Sequence, residues 1–279
     1  MSKRKPQSSP QSHPSPSSPE SIQERLREDL KALKLPTIRE HFQAQAERAA
    51  KENLSYPHYL AELTSRECET RSQGRVRRLL RNSRLQATKT WDQFEWSRVP
   101  LAVTRQCQSL RDGSFLDRRE NVLVFGKPGC GKTHMLAALG EQLIQRGRSV
   151  LFTTCSLLVQ DLLAAKRDLR LERFIKKLAG FEALIVDDLG YVQQSREEME
   201  VLFTLLAERY ERGSVLLTSN LPFSQWTQIF KDPMTTAAAI DRLVHHSVIL
   251  ELNVPSYRLE TAKTAKMSVP PASPSGEKN

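Results

Sequence analysis

Cysteine is scarce. The 279 residues contain four, Cys68, Cys107, Cys130 and Cys155, too far apart for paired metal-ligand spacing or a disulfide framework, so all four are expected to be reduced and incidental. The six histidines are scattered. Even the adjacent His245 and His246 lack a cysteine or a further histidine at ligand spacing, which argues against zinc. No apolar run approaches the roughly 20 residues that span a bilayer, and the N-terminal MSKRKPQSSPQSHPSPSSPE has no apolar centre of the kind a signal peptide carries. A soluble, cytoplasmic protein with no membrane partner is the expectation. One stretch also lacks acid: between Arg71 and Thr90 stand Arg71, Arg75, Arg77, Arg78, Arg81, Arg84 and Lys89 with no Asp or Glu. Such a run repels itself unless an anion lies against it, so it is either a solvated helix face or a DNA contact.

The chain as a whole carries a net charge of +10 with a pI near 9.6, which favours polyanionic partners. Its organisation follows from local pattern. Residues 1–20, rich in Ser, Pro and Gln, have too little apolar surface to offset the entropy of ordering and predict a disordered tail. Ile22, Leu26, Leu30 and Leu33 then recur on one helical face. Thr37 to Glu40 resembles a capping box opening a second helix, whose stripe is Ile38, Phe42 and Ala46. A third helix is predicted from Pro57, with Tyr59, Leu60 and Leu63 inward. Residues 21–90 thus predict a small all-helical domain and 91–120 a connector. Residues 121–262 predict an α/β domain, followed by a second tail over 263–279. Five short apolar runs, 121–125, 149–154, 183–187, 214–219 and 247–252, alternate with helical stretches, as a parallel sheet covered on both faces requires. Between the third and fourth runs, Ser195 and Glu198 form a capping box, and Met199, Leu202, Phe203, Leu206 and Tyr210 form a buried stripe that Gly213 ends.

The first run leads into Gly126-Lys127-Pro128-Gly129-Cys130-Gly131-Lys132-Thr133. Strand, glycine-rich loop, Lys-Thr and helix in that order make a phosphate-binding P-loop. Backbone N–H groups and the helix dipole cradle the phosphates. Lys132 is expected to reach the β and γ phosphates of ATP, and Thr133 to ligate Mg2+. The run Ala183-Leu184-Ile185-Val186 ends in Asp187-Asp188, and unpaired carboxylates are too costly for an ordinary core strand. Asp187 is assigned to Mg2+ through water and Asp188 to polarising the attacking water. Asn220, ending the polar triplet Thr218-Ser219-Asn220, is placed to orient that water.

With these elements in order, the chain resembles the AAA+ ATPases of the initiator and helicase-loader group. The segments "ENVLVFGKPGCGKTHMLAALG", "ALIVDDLGYV", "LLTSNLPFSQW", "AAAIDRLVHHSVILEL" and "SYRLE", with the "FEWS" connector, are similar to the IstB-type transposition helper ATPases of insertion sequences, with the helicase loader DnaC as a close cousin. The resemblance implies an AAA+ P-loop domain with a five-stranded parallel sheet between helices, behind a helical N-terminal domain. It implies ATP-dependent self-assembly into a homo-oligomer on double-stranded DNA and recruitment or activation of a transposase, or of a replicative helicase in the loader alternative. It also implies that Arg242 projects into a neighbouring subunit's nucleotide, and that Arg258 is a sensor arginine. Related ATPases more often carry glutamate at the position of Asp188, so slow, DNA-stimulated hydrolysis is expected. Initiator-type members carry an extra DNA-facing helix after the second strand. Residues 156–178, with Lys166, Arg167, Arg170, Arg173, Lys176 and Lys177, match it. The DNA-binding set is therefore Arg75, Arg77, Arg78, Arg81, Lys166, Arg167, Arg170 and Arg173. A P-loop kinase of small molecules would need a substrate pocket and an arginine-rich lid; the Asp pair, Asn220 and the basic N-terminal region argue against it.

Overall fold

The computed structural model describes residues 19–190, 195–230, 232–257 and 260; most of both predicted tails, and Arg258, lie outside them. The chain divides into two compact units between Gly74 and Arg75. The first holds α1 (Pro19–Ala32), α2 (Pro36–Lys51) and the start of α3 (Tyr56–Ser83). Leu30, Ile38, Phe42 and Leu63 form its small core, with Tyr59 packed against it and donating its hydroxyl to the Phe42 carbonyl at 3.0 Å. Of the predicted α1 stripe only Leu30 is buried; Ile22, Leu26 and Leu33 are exposed. The predicted capping box at Thr37 is not formed. Pro36 takes the first helical position, which leaves Thr37 inside the first turn. Its N–H and that of Ile38 donate instead to one oxygen of Glu67, 30 residues on, at 2.8 and 3.1 Å. Burial pushes the Glu67 carboxyl up, but these bonds and the Arg71 guanidinium hold it below the usual carboxylate range.

The sequence pattern puts the division near residue 90, whereas the compact units part at residue 74. The difference lies in packing: Val76, Leu79, Leu80 and Leu85 lie against the core of the second unit. The connector belongs there too. Trp91, Phe94, Val99, Val103, Cys107 and Leu110 of α4 (Leu101–Leu110), and Phe115 and Leu116 of α5 (Ser114–Asp117), are buried in that same core.

The rest of the second unit alternates strand and helix: β1 (Asn121–Gly126), α6 (Lys132–Gln145), β2 (Val150–Thr154), α7 (Cys155–Arg167), α8 (Leu171–Ala179), β3 (Ala183–Leu189), α9 (Arg196–Arg209), β4 (Ser214–Ser219), α10 (Thr227–Phe230), α11 (Pro233–Val244) and β5 (Ser247–Leu252). All pairings are parallel, in the order β2-β3-β4-β1-β5. Alternate residues of each strand enter opposite layers. Val122, Val124, Phe152, Ile185 and Leu216 meet α4 and α6 on one face. Leu123, Leu151, Leu184, Val186 and Leu217 meet α7, α8, α9 and α11 on the other. Burial on both faces is why these strands read as continuous apolar runs. The capping box of α9 forms as the pattern predicts. The single extra helix predicted over 156–178 is two, α7 and α8, broken where Leu169 adopts a left-handed backbone (φ 54°). Among the described residues no helix is long and apolar enough to cross a membrane.

Candidate nucleotide site

β4 lies between β1 and β3, so the strand ends that carry the P-loop, the polar triplet and the Asp pair stand side by side at the carboxyl edge of the sheet. The loop leaving β1 turns through Gly129 (φ 79°) and Gly131 (φ 103°), conformations that L side chains rarely adopt. Space is tight there as well: a Cβ on Gly129 would clash with the Ser256 hydroxyl, and one on Gly131 would press on the Phe94 ring at 3.1 Å. Gly131 then caps α6, whose first turn offers its N–H groups and positive dipole end to an anion. Lys132 is only 5% exposed, and its ammonium donates to the carbonyls of Gly126 (2.7 Å) and Lys127 (3.1 Å).

Asp187 is buried at the end of β3. The Thr218 hydroxyl donates to its Oδ1 at 2.7 Å, and Thr133 also hydrogen-bonds its carboxylate. Burial pushes the Asp187 carboxyl above its ordinary range; the Thr218 and Thr133 bonds oppose this, the charge of Asp188 adds to it, and Lys89 pulls the other way. At Asp188 the pairing of β3 with β4 slips. The residue takes a left-handed backbone (φ 61°), its N–H donates to Thr218 Oγ1 at 2.8 Å, and its side chain stands exposed in the cleft. A non-glycine residue held this way costs of order 1–3 kcal/mol, which the Thr218 contact offsets. Thr218 thus ties both acids together. The sequence reading named it only as part of a polar triplet; its role depends on β4 being the neighbour of β3.

The cleft is about 530 Å³, within the span usual for small-molecule sites, about 300–1,000 Å³. One wall is the P-loop with Asp188 and Asn220. Phe94, Val99, Val254 and Tyr257 give the other an apolar lining suited to a nucleobase. Arg98 lies over the Tyr257 ring at 5.1 Å, and Tyr257 N–H donates to the Gly129 carbonyl at 3.0 Å. Sequence reasoning missed this wall, although three aromatics within Trp91–Trp96 were a signal. The site fits a polyphosphate and Mg2+: Thr133 already hydrogen-bonds the buried Asp187 carboxylate, and the buried Oδ1 of Asn220 has no hydrogen-bond partner.

Arg242 lies elsewhere. Asn121, which opens β1, donates to the Leu243 carbonyl (3.0 Å) and accepts from Val215 N–H (2.8 Å), so the end of α11 sits at the amino edge of the sheet. β1 closes at Gly126, about 17 Å from Asn121 at ~3.3 Å per residue. The Arg242 guanidinium stacks over Phe203 at 4.8 Å and donates to the Ala238 carbonyl at 3.0 Å.

The basic residues fall into two groups. Arg77, Arg78 and Arg81 are exposed on α3, within one turn of each other, and make no ion pair among the described residues; Arg75 donates to the Gly147 carbonyl at 2.9 Å. Lys166 is paired with Glu197 and Glu200, and Arg170 with Asp168, whereas Arg167 and Arg173 are exposed without an ion pair among the described residues. The two groups are neighbours. Arg84 reaches Asp161 of α7 at 3.9 Å, and Asn82, Asp161 and Lys177 line a shared groove of about 320 Å³.

Comparison with known proteins agrees with this geometry. Residues 28–265 match the family described as IstB-like ATP binding protein. An insertion-sequence ATP-binding protein of Sinorhizobium fredii is 43% identical over 238 residues, covering 85% of this chain and 80% of that protein. The ATP-binding protein of insertion sequence IS21 from Pseudomonas aeruginosa is 37% identical, covering 85% and 89%. The crystal structure of the DnaC helicase loader shares the fold, with a TM-score of 0.52 at 15% identity over 60% of this chain and 98% of that one. A P-loop, an acidic strand end and a polar strand end side by side, in a chain whose residues 28–265 match this family, make it a member of the IstB-like ATP-binding proteins of insertion sequences.

Proposed function

We propose that the protein is an ATP-hydrolysing transposition helper that assembles on double-stranded DNA and recruits or activates a transposase, with hydrolysis releasing the assembly. The observation that carries this reading is the split between edges: the cleft gathers Lys132, Thr133, Asp188 and Asn220, with Asp187 buried behind Thr133, while Arg242 stands at the other end of the sheet. An arginine there cannot serve its own chain's nucleotide, but it is available to a neighbour's.

In the bound state Lys132 exchanges its loop carbonyls for the β and γ phosphate oxygens. Thr133 and, through water, Asp187 would hold Mg2+, which neutralises phosphate charge when bound. Asp188 accepts a proton from the attacking water, which the free Asn220 Oδ1 orients. Arg77, Arg78 and Arg81, with Arg167 and Arg173, contact the DNA backbone; the already paired Lys166 and Arg170 contribute less. The insertion-sequence names of the relatives favour a transposase over a replicative helicase as partner.

Asp188→Asn tests the mechanism. Phosphate release is expected to fall by about 10²–10⁴-fold, with ATP-dependent DNA binding retained or prolonged in a gel-shift assay. Turnover at the parent rate would remove Asp188 from the chemistry.

A further inference from the structure

The basic run from Arg71 to Thr90 reads in sequence as one surface, yet its last member sits apart from the rest. Lys89 is half-buried and lines the nucleotide cleft with Thr133, Asp188 and Asn220. Its charge is felt at Asp187. The segment that carries it is pinned to the P-loop. The Lys89 N–H donates to the Gln86 carbonyl at 3.1 Å, closing a turn. A ring nitrogen of His134, the residue after Thr133, meets the Thr90 carbonyl at 3.0 Å. Phe94 stands edge-on to His134 at 5.2 Å and against Gly131.

The other cations of the cleft are already engaged. Lys132 rests on loop carbonyls, and Arg98 is paired with Glu95 and Glu260 and stacked on Tyr257. Lys89 makes no ion pair among the described residues. A half-buried ammonium within the field of Asp187 and lining the same open cleft as Asp188 has donors to spare for a further anion.

We propose that Lys89 is a second lysine of the nucleotide site, contacting the terminal phosphate of the bound triphosphate beside Thr133 and Asp188, and that it is no part of the DNA-contacting surface. This rests on the reading of the cleft as an ATP site. The position also ties the segment linking α3 to α4 to nucleotide state, because Lys89 gains its anion only when the γ phosphate is present.

The test uses the full-length chain with Mg2+, comparing the parent, Lys89→Ala and Lys89→Arg. ATP and ADP affinities are measured by calorimetry, nucleotide-free duplex binding by fluorescence anisotropy, and folding by thermal melting. Lys89→Ala is expected to weaken ATP binding by about 10- to 100-fold, the range of a charge-assisted hydrogen bond, and ADP binding by less than about threefold. The melting point and nucleotide-free DNA binding stay at parent values, and Lys89→Arg keeps most of the ATP affinity. Equal losses for ATP and ADP, no loss for either, or a loss of nucleotide-free DNA binding would each overturn the assignment. A parent chain that binds neither nucleotide would overturn the reading of the cleft itself, and this assignment with it.

Discussion

Each edge of the sheet buries a long cation, and the two are treated differently. At the amino edge Arg209 is 2% exposed and donates to the carbonyls of Leu178, Phe181, Glu182 and Ser214, with only its Nε unpartnered. Burial draws its pKa down to about 10, which leaves it charged at neutral pH. At the carboxyl edge Lys132 is nearly as deeply placed, yet it donates only to two carbonyls of its own loop and borders a cleft of about 530 Å³. A guanidinium surrounded by fixed acceptors ties strand starts to helix ends. An ammonium with a donor in reserve beside open space is free to take a ligand. Buried charge alone therefore does not mark a site; the state of its hydrogen bonds and the space beside it do.

Four substitutions bear on that contrast. The largest effect is expected from Arg242→Ala, which removes from the amino edge the cation proposed to serve a neighbouring subunit. DNA-stimulated phosphate release should fall by about 10³-fold or more, the scale of an arginine finger, while ATP binding by dilute protein stays near the parent value. Mixing Arg242→Ala with Lys132→Ala should restore part of the turnover, since one supplies an intact cleft and the other an intact arginine. Unchanged turnover in Arg242→Ala would mean that the amino edge is structural throughout.

Arg209→Leu probes the structural side. It strips one partner from each of four carbonyls, and a loss of roughly 2–4 kcal/mol is expected in urea unfolding, with nucleotide affinity preserved in the folded fraction. A stability loss below about 0.5 kcal/mol would show that the four bonds fasten nothing.

Asp187→Asn should act in the opposite direction. Its carboxyl titrates above the usual range in the folded chain, so the cost of holding it charged is absent at acidic pH, grows as the pH rises and is fully present once the pH exceeds that raised value. The amide retains an acceptor for Thr218 without the charge, and the nucleotide-free protein should melt about 2–4 °C higher while Mg2+-dependent ATP binding is lost. A melting point that falls would mean that the carboxylate stabilises the fold.

Much of this was legible in the residues. The five strands, the P-loop with its Lys132 and Thr133, and the Asp187-Asp188 pair show in local pattern, because burial on both faces and the tight turns of a phosphate loop constrain residues near one another in the chain. The helix cap supplied by Glu67, the extent of the second unit back to Arg75, and the break between α7 and α8 were not. Each depends on a partner far along the chain or on a backbone turn at an ordinary residue such as Leu169.

By itself the sequence determined where the strands and most of the helices lie and which residues form the glycine-rich loop and the acidic strand end, since apolar period and glycine spacing act within a few residues. Only the tertiary structure decided that β4 stands between β1 and β3, which sets Thr218 against both Asp187 and Asp188, brings Lys89 to the cleft and puts Arg242 at the far edge. Strand order is settled by which faces can be buried together, and that is a property of the whole packed unit.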